Sequence, residues 1–240
     1  MTVKPRRVMF AAINGDNAML AGEAVVAIWN GIEPEARERF YDWHINEHMP
    51  ERVGIPGFRR GRRYIAADAA THPEFFTLYE ADTMPVLQGS GYADRLNDPT
   101  PATKATTAKF RDTFRALSRV LVSHGPGMGG AILTIRFDCD EQYLIAVRAM
   151  VRAAAQAQRV TGAHLCRADT AASLIRTAET QDRTDIQPPP SCFIMVEATD
   201  PEALTDILLE RALLGAGAIG PFIRGTYRLE YVRVKTAFAP

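Results

Sequence analysis

The sequence predicts an α+β fold built from two βαββαβ units in tandem. Three observations predict it. Strand-like and helix-like runs follow the same order twice along 240 residues. A Gly- and Pro-rich link, Gly125-Pro126-Gly127-Met128-Gly129-Gly130, separates the two occurrences. Each half would leave one face of a four-stranded sheet bare of helices, and a second sheet can cover it. The expected boundaries are an extension over 1–21, a first unit over 22–125 and a second over 131–237.

The elements follow in chain order. GEAVVAIWNG (22–31) is apolar and β-branched, a buried strand. Pro34 opens a helix at a position where a missing N–H costs nothing, and the helix runs over 35–52. FRRGRRYIA (58–66) and FFTLYEA (75–81) read as strands joined by a turn-rich link. A helix is predicted over 83–96, a short helix over 108–116 and a closing strand over 118–124. The second half repeats the order with a strand over 131–137, an Ala-rich helix over 141–159 and a strand over 163–169. An insertion over 170–190 ends in Pro188-Pro189-Pro190. A strand over 192–198, a helix over 201–214 and an alternating strand over 226–234 complete it. Each half is thus the ferredoxin-like unit, and the pair is expected to pack sheet to sheet within one chain.

Composition narrows the function. Lys and Arg number 28 and Asp and Glu 28, giving zero formal net charge. That excludes the basic excess of nucleic-acid binders and fits a partner that is small and mostly uncharged. No run approaches the roughly 18 apolar residues of a membrane helix. Lys4, Arg6 and Arg7 precede an apolar run that Asn14 soon interrupts, too short for a secretory leader. Cys139, Cys166 and Cys192 are widely spaced and read as small buried residues. A soluble cytoplasmic protein is expected, with a homodimer left open.

The first helix carries the chemistry. On a wheel of 100° per residue, Ala36, Phe40, Tyr41, Trp43, His44, Glu47 and His48 share one arc. Glu35, Glu38, Arg39, Asp42 and Asn46 take the solvent side. Burying two histidines and a glutamate costs free energy unless each finds a partner. The matching helix of the second half offers Leu144, Val147, Val151 and Ala155 instead. One site per chain, in the first half, follows from that asymmetry. His48 is the candidate general base or acid, because histidine titrates nearest neutrality. Glu47 or His44 would set its tautomer, unless the histidines merely stabilise a helix end. Tyr64, Tyr41 and Asn30 are candidates to hydrogen-bond a carbonyl oxygen, and Trp29, Phe40 and Trp43 to form apolar walls. Arg62 is a candidate to reach a carboxylate or enolate, unless its strand is a solvated edge.

Two motif matches fail on context. His44-Ile45-Asn46-Glu47-His48 has the HxxEH order of inverted zinc peptidases, without an identifiable third ligand. Gly215-Ala216-Gly217-Ala218-Ile219-Gly220 spells GxGxxG, but it follows a helix and precedes Pro221.

Phe40-Tyr41-Asp42-Trp43, Glu47-His48-Met49-Pro50-Glu51-Arg52, Ile55-Pro56-Gly57-Phe58 and Arg62-Arg63-Tyr64 together resemble a bacterial EthD-like family. Leu78-Tyr79-Glu80 and Leu96-Asn97-Asp98-Pro99-Thr100-Pro101 add to the resemblance, which covers about 22–125. His48, Glu47 and Arg52 match the family pattern, which usually has Tyr at the position of His44. The resemblance implies a dimeric α+β barrel with a cavity between sheet and helices. Relatives in that superfamily include muconolactone isomerases, polyketide cyclases, small-quinol monooxygenases, aldoxime dehydratases and haem-dependent peroxidases. Most act on small organic compounds, many without a cofactor, and the resemblance names no reaction.

The favoured expectation is a cofactor-independent isomerase, lyase or dehydratase acting on a compact apolar or aromatic carbonyl compound. The alternatives are a metal- or haem-dependent oxidoreductase using His44 or His48, and a non-catalytic binder of a small ligand.

Overall fold

The computed structural model describes residues 20–208 and 210–235. Nearly all of the expected extension over 1–21 lies outside the described residues. The strands are β1 (Ala24–Ile32), β2 (Phe58–Ala66), β3 (Phe75–Ala81), β4 (Phe110–His124) and β5 (Ala131–Cys139). Then come β6 (Val160–Ala168), the short β7 (Ile186–Gln187), β8 (Cys192–Ala198) and β9 (Ala218–Val234).

Among the described residues, eight of these strands close an antiparallel barrel in the order β1-β3-β2-β9-β5-β8-β6-β4, with β4 returning to β1. The first four strands meet the last four along two edges, β2 with β9 and β4 with β6. The sheets therefore join edge to edge as well as facing each other. Closure satisfies the N–H and C=O groups that open edges would leave unpaired. It also corrects the solvated-edge reading of β2, which has β3 on one side and β9 on the other.

Period-two alternation gives every strand an inner and an outer face. Trp29, Tyr64, Phe76, Phe193 and Tyr227 fill the barrel interior. Trp29 lies 5.0 Å from Phe76 and 5.2 Å from Phe193 between ring centroids, within the range of favourable aromatic pairs. The outer faces are covered by helices. Met49, Val53, Tyr79, Met84 and Leu96 belong to the core over the first four strands, and Val147, Val151 and Leu204 to that over the last four.

The first helical segment is not uniform. A 3-10 turn (Pro34–Ala36) leads into α1 (Arg37–Trp43), a π turn (His44–His48) and α2 (Met49–Gly54). The Met49 N–H reaches five residues back to the carbonyl of His44. Pro50 explains the widening: it has no N–H, and its ring would crowd the carbonyl four residues before it. The segment lies close on β2, where a Cβ at Gly61 would come within 2.9 Å of the Met49 side chain.

Several expected bounds change. The 83–96 helix divides at Gly89 into α3 (Met84–Gln88) and α4 (Ser90–Asn97). The short helix expected over 108–116 lies earlier, as α5 (Pro101–Thr107). Thr100 caps it by accepting from the Thr103 N–H, and Pro101 fits its first turn. Residues 110–117 instead begin β4, and Asp112 at φ 51° interrupts the alternation that marks a strand. In the second half α6 (Leu144–Ala154) ends early, and α7 (Thr170–Ser173) is a single turn. The 201–214 helix reduces to a 3-10 turn at Pro201–Leu204 and α8 (Glu210–Gly215). β9 starts at Ala218, so it takes in the end of the GxGxxG run. Cys139, Cys166 and Cys192 are buried and unpaired, as expected. Among the described residues, no helix is long and apolar enough to cross a membrane.

Candidate functional site

A cavity of about 280 Å³ opens on the outer face of β1, β3 and β4, beneath the first helical segment. That volume suits a compact organic ligand. Phe40, Trp43, His44 and His48 come to it from the helix, Ile28 and Asn30 from β1, and Thr77 and Tyr79 from β3. Thr113 and Arg115 line it from β4, and Tyr92 and Leu96 from α4. The far wall comes from the second half of the chain, where Leu174, Arg176, Glu179, Arg183 and Ile186 line it.

Alternation sorts the expected residues. Asn30 faces the cavity, whereas Trp29 beside it points into the barrel and donates to Thr134 Oγ1 at 3.0 Å. Arg62 and Tyr64 also point inward, so the sheet separates all three from the cavity. Arg62, fully buried, pairs with Glu80 at 2.9 Å and with Glu197 at 2.8 Å. Burial would raise the Glu197 carboxyl, yet Arg62 and His164 hold it down at about 2. Tyr41 lies outside the cavity; its ring packs on the Arg63 guanidinium and its hydroxyl donates to Glu230 at 3.2 Å. Phe40, Trp43, His44, His48 and Asn30 are brought together.

His44 and His48 have ring centroids 5.7 Å apart. Burial pushes the His44 imidazole well below its ordinary range, and the nearby Arg63 charge adds to this. His48 is shifted the same way by burial, then by Arg52 and His44. Both are therefore neutral near pH 7. The geometry also fixes the His44 tautomer. Arg63 Nη1 lies 3.3 Å from His44 Nδ1 and can only donate, so Nδ1 accepts and the proton sits on Nε2. Nε2 faces the Tyr79 hydroxyl oxygen at 3.5 Å. Burial raises the Tyr79 phenol, so Tyr79 keeps its proton and can donate it into the cavity. His48 stacks on Trp43 with centroids 4.2 Å apart. Its Nδ1 is buried and has no hydrogen-bond partner.

Glu47 does not orient His48. Its carboxylate accepts from the Thr100 hydroxyl and, at 3.3 Å, from that of Thr103, while Thr103 accepts from Trp43 Nε1 at 3.0 Å. Glu47 thus clamps the helical segment to α5. The tautomer-setting role expected of it has no counterpart in this geometry, because the segment's twist turns Glu47 toward α5.

Sequence reasoning did not place Tyr79, Arg115, Glu179 or Arg183 at the site. Tyr79 had an available signal, since alternation along β3 puts Thr77 and Tyr79 on one face. Arg115 falls within the helix expected over 108–116, which conceals its place on a strand face. Nothing local marks Glu179 or Arg183, whose segment reaches the first half only through the barrel's closure.

His44 and His48 have competing neighbours where a metal ion would sit. No group of three or more His, Cys, Asp or Glu among the described residues is placed to hold a metal ion. His44 Nδ1 already accepts from Arg63, and the Arg52 charge acts on His48. A cation there would lie beside two guanidinium groups.

No protein-family model matches the chain, and no curated protein matches it in sequence. Solved structures do match it in shape. An anthrone oxidase-like protein is 10% identical at a TM-score of 0.59, over 88% of this chain and 92% of its own. A candidate monooxygenase from Fusobacterium nucleatum is 9% identical at a TM-score of 0.52, over 90% and 96%. A candidate chlorite dismutase is 9% identical at a TM-score of 0.52, over 88% and 96%. Likeness at this level shows the fold: a closed, eight-stranded antiparallel barrel of the ferredoxin-like, dimeric α+β barrel type.

Proposed function

We propose that this chain is an enzyme that moves a proton on a compact, largely apolar or aromatic carbonyl compound, without a cofactor. One observation carries the reading: His48 puts a neutral, largely buried imidazole on the wall of an aromatic cavity. A neutral imidazole can take a proton from an acidic C–H or O–H and return it elsewhere. Tyr79, whose oxygen faces the Nε2–H of His44, would donate its own proton to the developing oxyanion. Trp43 and Phe40 would hold the apolar body of the substrate. This supports isomerase, lyase or dehydratase chemistry in the first half of the chain. It goes with a tandem reading of the fold, supported by the strand order β4-β1-β3-β2 recurring as β9-β5-β8-β6.

The names of the structural neighbours, anthrone oxidase-like and monooxygenase, favour a second reading, oxygenation. The same proton transfer at His48 would leave a substrate carbanion that gives two electrons to dioxygen. The balance is one CH2 group and one O2 giving one C=O group and one H2O.

The test is deuterium incorporation at the acidic carbon of 2-tetralone and anthrone in D2O, with oxygen consumption recorded in parallel. The purified chain should accelerate exchange over buffer, and His48→Gln should lose about 100-fold or more of that rate while keeping its fold. Exchange without oxygen uptake supports the first reading, and uptake matched to product supports the second. Exchange no faster than buffer, or unchanged in His48→Gln, overturns both.

A further inference from the structure

The overall charge balance hides a local imbalance. Arg52, Arg115, Arg176 and Arg183 line the cavity, against a single lining carboxylate, Glu179. Two of the arginines are matched. Arg52 pairs with Glu179 at 2.5 Å and Glu51 at 2.9 Å, and Arg183 with Asp185 at 2.7 Å. Arg176 is spent on the carbonyl oxygens of Thr180 and Arg183, at 2.9 and 3.1 Å. Arg115 differs. Its guanidinium lies over the Tyr92 ring, 5.7 Å from the centroid, and Nη2 donates to the Tyr92 hydroxyl at 3.3 Å. No carboxylate among the described residues pairs with it.

Sheet register places Arg115 relative to the rest of the site. It sits opposite Ile28 on β1, and Ile28 sits opposite Thr77 on β3. Arg115 is thus two strand spacings, about 10 Å, from the strand that carries Thr77 and Tyr79. A guanidinium carried two strands away from the Tyr79 phenol, in the same aromatic cavity, matches a flat molecule with an acid at one end.

We infer that the ligand of this cavity is an aromatic carboxylate whose acid group pairs with Arg115 while its ring lies toward Trp43 and His48. The inference rests on the reading of this cavity as the substrate site and adds the substrate's charge. A forked guanidinium pairs with a planar carboxylate through two parallel hydrogen bonds, and a neutral amide cannot accept both.

The test is calorimetric titration of the full chain with benzoate, phenylacetate and cinnamate, each against its primary amide. At least one acid should bind ten-fold or more tighter than its amide, and added salt should weaken it. Arg115→Gln should remove the preference for the acid while leaving the amide's affinity within two-fold. Arg115→Lys should restore part of the preference. Far-UV circular dichroism and melting of the unliganded variants check their folding, and the acid–amide comparison on the unaltered chain needs no variant. If acid and amide bind alike, and Trp43→Ala weakens both, the charge assignment falls and the cavity reading stands. If no compound binds, both fall. If Arg115→Gln keeps the preference, the assignment to Arg115 is overturned.

Discussion

Arg52 on α2 and Glu179 in the second half of the chain meet at 2.5 Å, with side chains only 3% and 12% exposed. The pair ties the far wall of the cavity to the helix that carries His48. Glu179 is also held through its backbone N–H, which donates to the Leu96 carbonyl at 3.0 Å. Arg52 has a second partner in Glu51, so the two substitutions are unequal. Arg52→Ala strands Glu179 and leaves Glu51 only Arg95 among the described residues, at 3.8 Å, so it should cost about 3 kcal/mol. Glu179→Gln keeps a hydrogen bond and leaves Glu51 to balance the charge, so it should cost about 1 kcal/mol. Urea unfolding of both variants measures this, and equal losses would contradict the geometry.

Stability should fall on the acid side of neutrality because of His44 and His48. Both are held below their unfolded value of about 6.5. The unfolded chain therefore binds protons that the folded chain refuses as pH drops below about 6.5. Each histidine then contributes a loss of up to about 1.4 kcal/mol per pH unit, until its lowered folded value is reached. Unfolding free energies at pH 7.5 and 5.5 should differ more for the unaltered chain than for a His44→Gln, His48→Gln double variant. Identical pH slopes would refute the assignment.

Glu47 should behave as a structural clamp and not as a member of the proton path. Glu47→Gln should lower stability by about 1 kcal/mol, through weaker bonds to Thr100 and Thr103. Its acid-limb pH profile for deuterium exchange should match that of the unaltered chain. A displaced acid limb would show that Glu47 does act on His48.

Legibility differed sharply between elements. β3 and β8 were read with their bounds intact, because a short apolar run between turn signals has little freedom to be anything else. The start of β4 reads as helix in the sequence because Asp112 breaks the alternation, and no neighbouring strand is visible there to restore the register. The wheel separated the buried from the exposed residues of the first helical segment. It does not show that Glu47 leaves toward α5, since that depends on a π turn and on a helix that begins at Pro101, ahead of the expected one.

The sequence by itself determined the order of the elements, the unequal helices of the two halves and the aromatic-histidine arc around His48. Those properties are local: they follow from the period of the backbone and from what one helix face carries. Tertiary structure decided which face of each strand meets the cavity. It sent Trp29, Arg62 and Tyr64 into the barrel, where Glu80 and Glu197 compensate the buried guanidinium, and it turned Asn30, Tyr79 and Arg115 outward. It also brought Glu179 and Arg183 onto a site in the other half. Alternation divides a strand's residues into two sets, but only closure of the barrel says which set is inside.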